Sequence, residues 1–101
     1  MKKIINGKLY NTETANTVAT YWNGFPGGDF EVVHETLYQK KTGEYFLYGK
    51  GGPMTQYAEQ VCGGLAYGEM IIPYTEDEAK EWAVVHMDAD NYMKLFGEVE
   101  E

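Results

Sequence analysis

The chain has 101 residues, a net charge of −8 and no arginine among its eight basic residues. This length suits one domain, here residues 1–101, with a single hydrophobic core. A chain of this charge is repelled by duplex DNA, and it lacks the arginine that grips phosphate and guanine at two points, so we expect no direct nucleic-acid binding. We also expect no membrane span, because no apolar run approaches the roughly 20 residues that a membrane helix needs.

The N-terminal segment predicts a hairpin followed by a helix. Asn6-Gly7 lies between short apolar stretches and favours a two-residue turn. We expect a helix from Asn11 or Thr12 to about Tyr21 or Trp22, because apolar residues recur there at helical spacing. That stripe consists of Ala15, Val18, Ala19 and Trp22.

A second hairpin is predicted in the middle of the chain. Residues 30–40 and 44–48 alternate in polarity on either side of Lys41-Thr42-Gly43, which is typical of a turn. Val33, Glu35 and Leu37 share one side of the first strand. Both sides of this pair carry apolar or aromatic residues, so we expect the pair to be covered on both faces.

The glycine-rich segment that follows predicts a turn and offers a ligand site. Gly49, Lys50, Gly51 and Gly52 come directly after the predicted strand, and Pro53 could begin a short helix. Such a turn can bind an anion, although neither the P-loop nor the GxGxxG pattern is complete. A small-molecule or nucleotide-binding module built on these four residues is therefore an alternative function, beside the simpler interpretation of a structural turn.

The C-terminal third predicts a strand over residues 67–74 and two capped helices. Thr75 and Glu78 form a capping box, and the first helix should reach about Met87. Asp88 can begin a second helix, which Gly97 should end. Residues 97–101 are expected to form a frayed acidic tail. Together these elements predict an α+β domain, with a mainly antiparallel sheet of about four strands against an N-terminal helix and the C-terminal helices.

Negative charge is concentrated after residue 74. Residues 75–101 contain nine acids and two lysines, a net charge of −7, whereas residues 1–74 carry −1. Helix capping and the helix dipole account for five of these acids, so a solvated face is one interpretation. A surface that binds a basic partner is the other. The candidate partner-binding residues are Glu76, Asp77, Glu81, Asp88, Asp90, Glu98, Glu100 and Glu101.

Catalytic and metal motifs are weak, so we expect a protein that is not an enzyme and has neither cofactor nor metal. From Asp88 onward, the chain lacks the oxygen ligands and the glycine of a calcium loop. Cys62 has no nucleophile signature around it, although His34 or His86 could approach it in space. A hydrolytic enzyme that uses these histidines remains a third hypothesis. One cysteine and an early polar start also indicate a cytoplasmic protein.

Six segments of the chain carry a resemblance to known proteins. They are residues 3–15, 35–38, 42–47, 49–52, 72–73 and 78–83. In these segments the chain resembles a family of small accessory proteins from phages and plasmids of Gram-positive bacteria. Some members of that family are anti-CRISPR proteins that act against type II RNA-guided nucleases. The resemblance implies an inhibitor that acts in the bacterial cytoplasm on a basic host protein, and it assigns no site residue. The oligomeric state stays open.

Overall fold

A four-stranded antiparallel sheet forms the centre of the molecule in the computed structural model, which describes residues 1–100. The order of its strands is β3 (Asn16–Trp22), β4 (Val33–Gln39), β5 (Tyr45–Gly51) and β8 (Gly68–Tyr74). Two separate hairpins accompany it. They are β1 (Lys2–Ile5) with β2 (Lys8–Asn11), and β6 (Glu59–Val61) with β7 (Gly64–Ala66). The helices α1 (Glu76–His86) and α2 (Ala89–Phe96) complete the α+β fold.

The predicted N-terminal helix is wrong, because residues 16–22 form the edge strand β3. β3 pairs with β4, and its register shifts between Thr17 and Ala19 at a β-bulge. A bulge places one extra residue on the strand and interrupts the alternation of its faces. Val18, Ala19 and Tyr21 therefore all pack against the same core cluster, and their spacing imitates that of a helix.

The predicted hairpins and the strand before α1 are confirmed. Asn6 and Gly7 have φ values of 52° and 78°, as the two-residue turn between β1 and β2 requires. β4 pairs with β5 from Val33↔Gly51 to Gln39↔Tyr45, and β8 pairs with the other edge of β5. The sequence did not predict the β6–β7 hairpin, and the short helix expected from Pro53 is absent from residues 53–58.

Two core clusters lie on opposite sides of the central sheet. On one side, α1 covers the cluster of Leu37, Leu47, Ala79, Trp82 and Ala83. On the other side, the β1–β2 hairpin contributes Tyr10 to a cluster with Phe46 and Ile71. Phe46 and Leu47 are adjacent in β5 and enter different clusters, since successive strand residues point to opposite faces. Within residues 1–100, no helix has the length and apolar character needed to cross a membrane.

Candidate functional site

The capping box of α1 fixes the position of the acids in the first turn of the helix. The Glu78 backbone N–H donates to Thr75 Oγ1 at 3.1 Å, and the Thr75 N–H donates to Glu78 Oε1 at 2.9 Å. This reciprocal pair satisfies two backbone donors at the helix start. Glu76, Asp77 and Glu78 then lie in the first turn, where the helix dipole stabilises negative charge. The predicted start of the helix is confirmed.

The buried side of α1 holds it on the sheet. Ala79, Trp82 and Ala83 are buried, and they pack against Leu37 and Leu47 of the central strands. These three residues form the buried side of the helix. The same packing orients the opposite side of α1 toward solvent.

A buried carboxylate, to which no sequence motif pointed, lies beneath α1. Glu35 is only 7% exposed, between inward-facing residues of β4. Its Oε1 accepts a hydrogen bond from Trp82 Nε1 at 2.9 Å. Its Oε2 accepts from the Tyr57 hydroxyl, and from Gln56 Nε2 at 3.5 Å. A buried carboxylate is costly unless it is hydrogen-bonded, so these donors explain how Glu35 is tolerated.

The aromatic and imidazole groups around Glu35 are held in their neutral forms. His86 Nε2 lies 3.7 Å from Glu35 Oε1, and the His86 ring packs on Tyr21 with centroids 3.9 Å apart. Burial lowers the pKa of His86, although Glu35 opposes the shift. Burial, and then Glu35, raise the pKa of the Tyr57 hydroxyl. Near pH 7 the Glu35 carboxyl group therefore has neutral groups, Tyr57 and His86, as its neighbours.

The seven candidate acids within residues 1–100 all lie on the surface. These exposed residues are Glu76, Asp77, Glu81, Asp88, Asp90, Glu98 and Glu100. Among the described residues, the only ion pair that involves one of them joins Glu76 Oε1 to Lys80 Nζ at 3.4 Å. Glu101 lies outside the described residues. The acids thus form a surface whose charge is mostly uncompensated by ion pairs among residues 1–100.

The caps of α2 account for part of this acidity. Asp88 Oδ1 accepts from the Asn91 backbone N–H at 2.8 Å, so Asp88 begins α2 as predicted. Gly97 ends the helix with a φ of 92°. Tyr92 and Phe96 pack toward the core, whereas Ala89 is exposed, and so is Met93 at 37%. Residues 98–100 have no regular secondary structure.

Apolar residues are exposed among the acids, and the sequence analysis did not identify them. Val84 and Val85 are 67% and 73% exposed on the outward side of α1. Next to them is an apolar concavity of about 320 Å³ that Val84, Met93 and Val99 help to line. Large side chains that stay exposed together are typical of an interaction surface. The signal available in the sequence was the pair Val84-Val85, which falls outside the buried stripe of Ala79, Trp82 and Ala83.

The glycine-rich segment is not a turn, because Gly49, Lys50 and Gly51 belong to β5. A Cβ at Gly49 would overlap the Tyr57 ring, and one at Gly52 would overlap the Phe30 carbonyl. Because these two glycines lack side chains, Tyr57 and Phe30 pack directly against them. No space for a ligand is therefore left at Gly49 or Gly52. Lys50 and Gly51, however, line a concavity of about 780 Å³ together with His34.

The structure places the two histidines in different aromatic contacts. His34 stacks parallel to Trp22 with centroids 6.0 Å apart, whereas His86 contacts Tyr21 and Trp82. Cys62 is an exposed free thiol in the turn between β6 and β7. In residues 1–100, no group of three or more His, Cys, Asp or Glu side chains is arranged to hold a metal ion.

Comparisons of the chain with protein-family models, curated proteins and solved structures gave no match.

Proposed function

We propose that this protein is a non-enzymatic inhibitor from a mobile genetic element that binds a basic host protein through the exposed sides of α1 and α2. A type II CRISPR nuclease is the proposed partner, because such enzymes hold nucleic acid in a positively charged channel. A compact acidic protein would occupy that channel before nucleic acid does. The family resemblance leads to the same partner class.

The observation that carries the proposal is the combination of unpaired acids with exposed valines on α1. Val84 and Val85 are on the same exposed side as Glu81, and Asp77 lies one turn before Glu81. Protein interfaces typically combine an apolar centre with a polar rim. A purely solvated helix face gains nothing from two valines at these positions. Acids on the rim would steer a basic partner and set its orientation.

A binding and DNA-cleavage assay with type II CRISPR nucleases tests the proposal. We expect inhibition that weakens as salt rises from about 0.05 to 0.5 M, because the Debye length shortens. The double variant Asp77→Asn with Glu81→Gln should weaken binding by roughly two- to thirtyfold, as two partly screened ion pairs predict.

The matched control is Glu13→Gln with Glu31→Gln, which removes the same charge from exposed residues elsewhere. This control should keep nearly wild-type inhibition. No binding at any salt concentration would refute the proposal, and so would an equal loss in the two double variants.

The large concavity beside β5 favours a second candidate function, the binding of a small anionic ligand or nucleotide. Its volume of about 780 Å³ is within the usual range for ligand sites. Lys50 supplies a positive charge, and in the sheet register it lies between His34 and Glu69.

A thermal-shift screen with nucleotides separates this candidate from the inhibitor. A ligand that binds only the folded state raises the melting temperature. We expect Lys50→Met to abolish such a shift and Lys41→Met, at another exposed lysine, to preserve it. A screen in which no anion shifts the melting temperature would eliminate this function.

A further inference from the structure

A third concavity, the smallest of those described, opens where α1 meets the end of β8, next to the buried Glu35 side chain. It has a volume of about 300 Å³ and is lined by Tyr74, Glu78, Glu81, Trp82, Val85 and His86. Aromatic rings and carboxylates therefore share one concave surface. The Trp82 ring is fixed in place because its Nε1 donates to Glu35.

The charged groups in and beneath this concavity are acidic. Glu78 and Glu81 are exposed acids of its lining, and the carboxylate of Glu35 lies beneath Trp82. Burial, followed by Glu35 and Glu78, raises the pKa of Tyr74. The same negative charges that disfavour a phenolate at Tyr74 favour a cation beside it.

Within residues 1–100, no lysine lines this concavity. His86 is the basic group among the lining residues, and burial lowers its pKa. The nearest lysine in α1, Lys80, points elsewhere, with Nζ 3.4 Å from Glu76 Oε1 and 5.8 Å from the centre of the Phe96 ring. Among the described residues, no cation of the chain thus balances the acids of this concavity.

We propose that this concavity binds a guanidinium group, the side chain of an arginine presented by a basic partner. A guanidinium is planar, stacks on aromatic rings and pairs with carboxylates through two parallel hydrogen bonds. Tyr74, which is half-buried, supplies the main aromatic surface, the mostly buried Trp82 completes the lining, and Glu78 and Glu81 supply the carboxylates. This inference rests on the proposed function and identifies which partner group the acidic surface recognises.

Titration of the ¹⁵N-labelled protein with Nα-acetyl-arginine amide tests the site directly. We expect saturable shifts of the Trp82 indole N–H signal and of neighbouring amide signals. The citrulline analogue, which has nearly the same shape without the charge, should produce no saturable shift. The lysine analogue should bind more weakly than arginine, because an ammonium does not stack or pair in two places.

Two variants of α1 provide the matched comparison. Glu81→Gln, in the lining, should weaken binding of the arginine amide by roughly two- to fivefold. Asp77→Asn removes the same charge one turn away, outside the lining, and should leave that affinity nearly unchanged. Equal shifts with arginine and citrulline would overturn the proposal, as would equal losses in the two variants or tighter binding of lysine.

The same variants distinguish this inference from the function on which it rests. If the nuclease binds and both variants weaken it equally, the acidic surface recognises the partner without the guanidinium site. If the arginine amide binds at Trp82 and no nuclease does, the site is supported and the nuclease as partner is refuted.

Discussion

The two faces of the central sheet are stabilised in different ways. The face under the β1–β2 hairpin is packed by aromatic rings, with Phe46 edge-on to Tyr10 at 5.5 Å and stacked on Tyr38 at 5.2 Å. The face under α1 includes the buried carboxylate of Glu35 and its neutral partners. Both candidate features of the acidic surface, the exposed valines and the small concavity, lie on this second side. The contrast indicates that one face mainly supports the fold, whereas the other combines packing with charge.

The largest expected loss of stability follows from a substitution on the hairpin-covered face. Phe46 is fully buried, so Phe46→Ala should lower the free energy of unfolding by about 3–5 kcal/mol through lost burial and the cavity left behind. Urea denaturation measures the change. Phe30→Ala, at a residue that is 60% exposed, is the control and should change stability by less than about 0.5 kcal/mol. Similar losses in the two variants would contradict the assignment of Phe46 to the core.

The next largest expected loss of stability tests the hydrogen bonds of Glu35 on the helix-covered face. Glu35→Gln keeps the shape but replaces an acceptor oxygen with an N–H donor, so one existing donor loses its partner. We expect a loss of about 1–3 kcal/mol in the free energy of unfolding. The exposed Glu31→Gln should be nearly silent in the same urea titration. A Glu35→Gln protein as stable as wild type would show that the network contributes little.

A third variant tests the close approach of Tyr57 to β5. The added methyl group of Gly49→Ala would overlap the Tyr57 ring and displace its hydroxyl from Glu35. Overpacking of this kind costs about 1–3 kcal/mol. Gly27→Ala is the control, since no atom lies within 4 Å of a Cβ placed there. Thermal unfolding of the two variants gives the comparison, and an unaffected Gly49→Ala protein would contradict the contact.

The smallest effect depends on pH. Burial lowers the pKa of His86 below the ordinary histidine value of about 6.5, so the unfolded chain takes up the proton first as pH falls. Stability from this group is therefore present above pH 6.5 and is lost as pH falls toward the folded pKa. An NMR titration should place the His86 midpoint below 6.5, and His86→Phe should flatten the stability curve in that range. A midpoint above 6.5 would mean that Glu35 outweighs burial.

Local chemistry made several elements predictable from the sequence. The capping box at Thr75, the turn at Asn6-Gly7 and the helix end at Gly97 each depend on residues within a few positions of one another. The α+β class and the four-stranded sheet followed from such signals. The helix prediction for residues 16–22 was wrong because a bulge in β3 gave the apolar residues a helix-like spacing. Its threonines, which are β-branched, favoured the strand that is observed.

The candidate site was less predictable, because its contacts join distant parts of the chain. Trp82 and Tyr57 lie 47 and 22 positions from Glu35, and no periodic pattern links them. The alternation of β4 did place Glu35 on the same side as Leu37, which is the one local sign that it is buried. The acids themselves were visible in the sequence, but the concavity that Glu81 helps to line depends on how α1 packs over β8.

The bulge in β3 has a further consequence for the outer strands of the sheet. β3 and β8 are the two edges, and an exposed edge can recruit strands from other molecules and lead to aggregation. The bulge distorts the first edge, and Pro73 in β8 cannot donate a backbone hydrogen bond at the second. Both edges are therefore poor templates for strand addition, which lowers the tendency of the protein to aggregate through its central sheet.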